Sequence, residues 1–281
     1  MNNFLVFQSD FGLVDGAVSA MEGVAFGISK DLNVRHLTHE ISKFNTFEAS
    51  YRLYQTIQYW PEGTVFVSVV DPGVGSDRLS VVAKTVTGHY VVTPDNGTLT
   101  HIAKKIGIVA VREIDEATNR LKNSDASYTF HGRDVYAYTG ARLASSTISF
   151  EEVGPEIDVN SVKCLPTFKT IYEDDTLTGQ IDIFDVRYGS LWSSISFEDF
   201  KKLNIKLGEY ANVCIYNGDK KVCDLNMLYG RSFADVSVGS PILYMNSVNH
   251  MAVAINQGSF AEAHKIGVGY PWKITIKALT K

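Results

Sequence analysis

Two kinds of hydrophobic spacing divide this chain. Through the first half, short apolar runs alternate with stretches whose apolar residues recur every three or four positions, the marks of strands and amphipathic helices. Residues 4–7 (Phe-Leu-Val-Phe) predict a strand, after which Val18, Met21, Val24, Ala25 and Ile28 define one face of a helix. A second strand is expected at 32–37 and a second helix at 46–59, with Phe47, Tyr51, Tyr54 and Ile57 on its buried side. The run Thr64-Val65-Phe66-Val67-Ser68-Val69-Val70 is apolar and β-branched without alternation, as in a strand covered on both faces. Further strands are predicted at 79–83, 89–93 and 109–114, and helices at 99–106 and 135–143. This order predicts an α/β domain with a mainly parallel sheet and right-handed crossovers.

After Gly154-Pro155-Glu156-Ile157-Asp158 the spacing changes. Short strands at 177–184, 190–196, 210–216, 221–225, 241–245 and 251–255 are separated by turn residues at near-regular intervals, with one short helix at 197–203. The pattern predicts a smaller, mainly antiparallel β domain, barrel-like. The expected division is therefore 1–165 and 166–281, with no internal repeat or low-complexity tract.

Polar residues gather where the predicted strands of the first half end. Asp71 follows the doubly buried run, and Pro72, Gly73 and Gly75 force a tight turn that Arg78 closes. The same residues also fit a surface turn held by an ion pair. Asp10 and Asp15 occupy the loop after the first strand; Asp15 is placed to cap the following helix, whereas Asp10 lies too far upstream to do so. His131 stands between an extended stretch and a helix start, beside Gly132 and the Arg133-Asp134 pair, which is suited to a local salt bridge. In an open α/β sheet such loops collect along one edge, so the three clusters are expected in one crevice. An Asp, an Arg and a His together can hold and deprotonate a water.

Composition narrows the function classes. The 26 Lys and Arg against 31 Asp and Glu give a net charge of −5 over 281 residues, with no basic cluster, so neither nucleic acid nor an anionic membrane is an expected partner. Three cysteines without CxxC spacing argue against a disulfide framework or structural zinc and fit a reducing cytosol. No segment approaches the roughly 20 apolar residues of a membrane helix, and the start carries no basic leader, so a cytoplasmic location is expected. Walker, GxGxxG, GxSxG and HExxH motifs are absent. His36 and His39, three apart on a predicted strand, should point to opposite faces and are discounted as metal ligands.

Five short motifs in order carry a resemblance over essentially the whole chain. They are Ser9-Asp10-Phe11-Gly12 with Asp15, Val70-Asp71-Pro72-Gly73-Val74-Gly75 with Arg78, Pro94-Asp95-Asn96-Gly97, Phe130-His131-Gly132-Arg133-Asp134, and Phe233-Ala234-Asp235. In these the chain resembles the S-adenosylmethionine hydroxide adenosyltransferases, the adenosine-forming S-adenosylmethionine hydrolases related to the fluorinase and chlorinase. The resemblance implies an N-terminal α/β domain with a C-terminal barrel-like domain. It also implies a homotrimer with sites between the N-terminal domain of one subunit and the C-terminal domain of its neighbour. The implied reaction is S-adenosylmethionine plus water giving adenosine and L-methionine, without metal or cofactor. The implied water-activating set is Asp71, Arg78 and His131.

Substrate contacts implied by the same resemblance are Asp10 to the ribose hydroxyls, Phe44 as an aromatic wall beside the ribose, Phe130 as another packing position, and Asp185 to the methionine amino group. Tyr188, Trp192 and Phe233 match aromatic positions around adenine and methionine, and Ser247 a contact to the methionine carboxylate. The chain departs from its relatives at Tyr188-Gly189-Ser190, where they carry Phe-Gly-Asn, and at Ile255-Asn256, where some halogenases carry an arginine. Ser190 cannot reproduce the paired donor and acceptor of an amide. Two other readings stay open: a halide-dependent 5′-halo-5′-deoxyadenosine synthase, and a non-catalytic adenosine or S-adenosylmethionine binding protein.

Overall fold

Strand β3 (Val65–Val69) is buried along its whole length, and the first sheet is laid out around it in the computed structural model, which describes residues 2–279. The chain divides into two compact units, one ending at Leu165 and the other beginning at Pro166. In the first, β1 (Phe4–Ser9) pairs in parallel with β2 (Asn33–Thr38) on one side and β3 on the other. Helices α1 (Ala17–Ile28) and α2 (Thr46–Ile57) make the crossovers.

Beyond β3 the sheet is mixed. β5 (Tyr90–Pro94) lies parallel to β3, but β4 (Ser80–Thr85), β6 (Ile108–Glu113) and β7 (Glu156–Ile157) run antiparallel to their neighbours, in the order β2-β1-β3-β5-β4-β6-β7. A tight turn explains the reversal. The Gly88 N–H donates to the Thr85 carbonyl at 3.0 Å, and Gly88 adopts φ +77°, so β4 folds back on β5 as a hairpin.

Alternate residues of the central strands feed cores on the two faces. Leu5, Phe7, Val67 and Val92 pack with Met21 and Ala25 of α1 and with Ala141 and Leu143 of α3 (Tyr138–Ala144). Val6, Phe66 and Val91 pack on the other face with Leu53 and Ile57 of α2. Helix α3 approaches closely because residue 140 is glycine: a Cβ there would collide with the Val67 side chain. The helix predicted at 135–143 begins earlier and wider than expected, as a π-helical turn over Gly132–Ala137. Ile102–Ile106 likewise forms a π-helical turn inside the stretch predicted as helix at 99–106.

In the second unit β8 (Ile171–Glu173) flanks β9 (Thr176–Asp185), which pairs with β10 (Ser190–Ser196) and with β15 (Trp272–Ala278). Through β14 (His250–Ile255), β13 (Pro241–Met245), β12 (Lys220–Tyr229) and β11 (Tyr210–Asn217) the seven strands close on themselves. All pairs are antiparallel except β12–β13. Leu177, Ile181, Leu191, Val213, Met227, Val253 and Ile276 fill the interior, with Phe200 of α4 (Phe197–Phe200) and Phe260 of α5 (Phe260–His264) packed against it.

Candidate active site

Asp71 leaves the end of β3 with its side chain 6% exposed and folds back against Arg78. Turn bonds from Val74 N–H to the Asp71 carbonyl (3.3 Å) and from Ser76 N–H to the Gly73 carbonyl (3.0 Å) shape the loop between them. The guanidinium is bidentate on the carboxylate: Nε donates to Oδ1 at 2.8 Å and Nη2 to Oδ2 at 2.6 Å. Nη1 donates to Ser80 Oγ at 3.1 Å, which in turn meets Tyr136 Oη at 3.1 Å. Burial opposes the charge of Arg78, but its hydrogen bonds to Asp71 and the Tyr136, Asp71 and Glu116 groups around it raise its pKa above the ordinary value. Burial pushes the Tyr136 phenol far upward, so it stays protonated.

His131 completes the array from the start of the π-helical turn. Its Nδ1 lies 2.7 Å from Nη2 of Arg78. A guanidinium only donates, so this nitrogen carries the lone pair and the ring proton of the neutral form sits on Nε2. Burial, reinforced by the Arg78 and Arg120 charges, lowers the His131 pKa below that of an ordinary histidine, Glu116 and Asp71 acting in the opposite sense. The imidazole is therefore neutral near pH 7.

Asp71 and His131 line a cavity of about 470 Å³ together with Asp10, Phe44, Phe130 and Gly132. Asp10 Oδ2 accepts from the backbone N–H of Phe44 at 2.8 Å. Phe44 holds φ +65°, a conformation rare for a side-chain-bearing residue, and its ring is 67% exposed. Phe130 stacks edge-on against Phe11 at 5.8 Å. Gly132 permits this crowding, since a Cβ there would stand 3.2 Å from Phe11, Phe130 and Val69. The three strand-end clusters thus meet through Asp10, Asp71 with Arg78, and His131. Asp15 is not the N-cap of α1, which is Gly16; it lies one residue earlier and accepts from Ala17 N–H at 2.9 Å, tying the loop to the helix start. Arg133 and Asp134 pair with each other at 2.7 and 3.1 Å.

One supporting residue escaped the reading of the strand ends. Asn96 Nδ2 donates to the carbonyl of Val70 at 2.8 Å, fixing the peptide that precedes Asp71. Its only sequence signal was the Pro94-Asp95-Asn96-Gly97 motif.

The expectation for His36 and His39 is corrected. The strand β2 carries an irregularity, Phe7 pairing with His36 and Gln8 with Thr38, so the alternation slips by one residue. His36 Nδ1 and His39 Nε2 come within 2.8 Å, His36 Nε2 meets Glu22 at 2.7 Å, and His39 Nδ1 meets Ser9 Oγ at 2.7 Å. Among the described residues no group of three or more His, Cys, Asp or Glu is arranged to hold a metal ion.

In the second unit a cavity of about 920 Å³ is lined by Tyr188, Ser190, Phe233, Arg187, Ile255 and Glu262 among others. The β9–β10 turn builds one wall, the Asp185 carbonyl accepting from Tyr188 N–H (3.1 Å) and Gly189 N–H (2.7 Å). Phe233 packs edge-on against Tyr244 at 5.1 Å. Asp185, Trp192 and Ser247 do not line this cavity. Trp192 is buried, its Nε1 donating to Tyr244 Oη at 3.3 Å, and Ser247 is exposed in the turn joining β13 to β14. No described helix is long and apolar enough to cross a membrane.

Comparison with known proteins places these features. Residues 5–154 match the family model of the SAM hydroxide adenosyltransferase N-terminal domain and residues 179–273 that of the C-terminal domain. An (R)-S-adenosyl-L-methionine hydrolase of Methanocaldococcus jannaschii is 40% identical over 166 residues, a match spanning 57% of this chain and 61% of that protein. One from Salinispora arenicola is 30% identical over 97% of both chains, and a fluorinase of Actinopolyspora mzabensis is 25% identical over 96% of both. The crystal structure of an uncharacterized conserved protein from Thermotoga maritima superposes with a TM-score of 0.88 at 31% identity, covering 97% of this chain and 99% of that one. With both halves matched and a relative 30% identical from end to end, the chain belongs to the SAM hydroxide adenosyltransferase family.

Proposed function

We propose that this protein hydrolyses S-adenosylmethionine to adenosine and L-methionine, water attacking the ribose C5′ in line with the departing sulfur. One observation supports the reading above the others: in a member of this family, Asp71, Arg78 and His131 form a continuous hydrogen-bonded array beside a cavity that also holds Asp10, Phe44 and Phe130.

The sulfonium leaves as a neutral thioether, so no general acid is required. What remains is to position one water and take its proton. We assign the proton to Asp71, whose oxygens keep lone pairs beyond those engaged by Arg78. His131 Nδ1 is occupied by Arg78, and its Nε2–H can only donate. Arg78 fixes the carboxylate plane and His131 fixes Arg78. Asp10 is assigned to the ribose hydroxyls, with Phe44 and Phe130 as walls. Tyr188, Ser190 and Phe233, which share a cavity, are assigned to the adenine and methionine end together with Asp185, Trp192 and Ser247. The Asp71 charge opposes a halide at the attacking position, which favours water over a halide nucleophile.

The test is incubation with S-adenosylmethionine in oxygen-18 water, with chloride titrated in parallel. The expected products are unlabelled methionine and adenosine carrying one heavy oxygen at its 5′-hydroxyl. A 5′-chloro nucleoside, or calorimetric binding of S-adenosylmethionine with no turnover, overturns the reading. The same reading expects a homotrimer acting in the cytoplasm without metal or cofactor. Light scattering tests the trimer, and turnover after chelation tests the absence of metal.

A further inference from the structure

A second guanidinium reaches His131 from the side opposite Arg78. Arg120 Nη1 lies 3.5 Å from His131 Nε2, and the Arg120 side chain is only 9% exposed. Its head is held on every edge. Nη1 donates to Glu116 Oε2 at 2.6 Å, Nε to Ser124 Oγ at 3.2 Å, and Nη2 to the carbonyls of Ser124 (3.2 Å) and Ser127 (2.9 Å). The Tyr128 ring lies 4.6 Å from the guanidinium and meets the His131 ring edge-on at 6.0 Å.

This gives the imidazole a donor at each nitrogen, while its neutral form offers one lone pair. The 2.7 Å bond to Arg78 takes that lone pair, so the Nε2–H faces the Arg120 end of the Glu116–Arg120 pair, and the Glu116 carboxylate behind it acts on the ring through its charge. We propose that Glu116 and Arg120 are positioning residues for the reaction: a second ion pair that clamps His131 against Arg78 and sets the pH range in which the site works. The inference rests on the reading above that His131 belongs to the water-activating set.

Other charged and titratable groups face the ring as well. Asp71 and Arg78 come from the loop after β3 and act on the ring by their charges, Tyr128 lies edge-on to it, and Asp10 and Lys43 line the same cavity. Among the charges acting on His131, that of Glu116 is the strongest and favours protonation, while Arg120 opposes it. Removing each partner should therefore move the His131 midpoint in opposite directions, down without Glu116 and up without Arg120.

The experiment is an NMR titration of the protein labelled at histidine Cε1, the His131 signal among the seven histidines identified by its loss in His131→Gln. Glu116→Gln should lower the His131 midpoint, Arg120→Met should raise it, and Arg120→Lys, which keeps the charge, should leave it in place. The acid limb of kcat/KM for S-adenosylmethionine hydrolysis should move with the midpoint in each variant, KM staying nearly constant. Midpoints that stay put, that rise in both charge-removing variants as simple loosening would cause, or that move as far in Arg120→Lys as in Arg120→Met overturn the proposal. The titration needs no substrate: opposite shifts in a protein that does not hydrolyse S-adenosylmethionine would sink the activity and leave the clamp standing.

Discussion

Arg78 and His131 meet at 2.7 Å through one amino nitrogen, Nη2, that also serves Asp71 at 2.6 Å. Both protons of that nitrogen are thus committed, and the carboxylate, the cation and the neutral ring form one rigid unit.

Asp71→Asn keeps the shape of the acceptor and removes its ability to take a proton. Turnover should fall about 10²- to 10⁴-fold, the range of a lost general base. KM should change little. Initial rates across a substrate series check this, and retention of wild-type kcat would exclude Asp71 as the proton acceptor.

Arg78→Lys keeps the charge but cannot reproduce two parallel bonds to Asp71 while also reaching His131. A loss of about 10- to 100-fold in kcat is expected, as for other small misplacements of reacting groups. Thermal unfolding should also show a lower midpoint, because the carboxylate remains nearly buried with a poorer partner.

Asn96→Ala withdraws the donor from the Val70 carbonyl, and Val70 is fully buried. An orphaned buried carbonyl costs about 1–3 kcal/mol. Denaturant titration should show that loss, and kcat should drop with it because the freed peptide carries Asp71. Unchanged kcat alongside reduced stability would separate the clamp on Val70 from catalysis.

The histidine pair beside the Asp10 loop makes stability depend on acidity. Burial, then the neighbouring His36, lowers the His39 pKa from the ordinary 6.5 to about 4. Between those two values the unfolded chain binds the His39 proton and the folded chain does not, so stability falls as pH drops from 6.5 toward 4. Urea midpoints measured through that window should decline in the wild-type protein and flatten in His39→Asn. A slope that is the same in both would refute the assignment.

Much of this was legible in the chain itself, for physical reasons that also mark where legibility ended. β3 could be read because burial on both faces demands an unbroken apolar run, and the residues just beyond such a strand are exposed by geometry. The direction of β4 and β6 could not, since hydropathy records which residues are covered and not which way a neighbouring strand runs. Gly132–Ala137 carried an ordinary helical period, and nothing in that spacing distinguishes a wider first turn. The His36–His39 contact was misread because a one-residue irregularity cancels period-two alternation. Arg120 and Glu116 lie in a stretch of turns with no periodicity, and only the folding of those turns brings the pair to His131. In the second unit, Tyr188 and Phe233 share a cavity, whereas Trp192 meets Tyr244 because both pair with Ala252 of the intervening β14, and neither that adjacency nor closure of the barrel is written in hydropathy.

That closure has a consequence for how the protein behaves at high concentration. The ring is tight except where β12 meets β13, which pair only through Leu228 with Ile242 and Tyr229 with Leu243, so residues 220–227 of β12 are laddered to β11 alone. β8 is a second margin, only three residues long, whereas the β12 edge carries exposed Lys220, Lys221 and Asp224, charges that discourage an intermolecular ribbon. Those charges are therefore constrained: making them apolar is expected to promote association through the β12 edge.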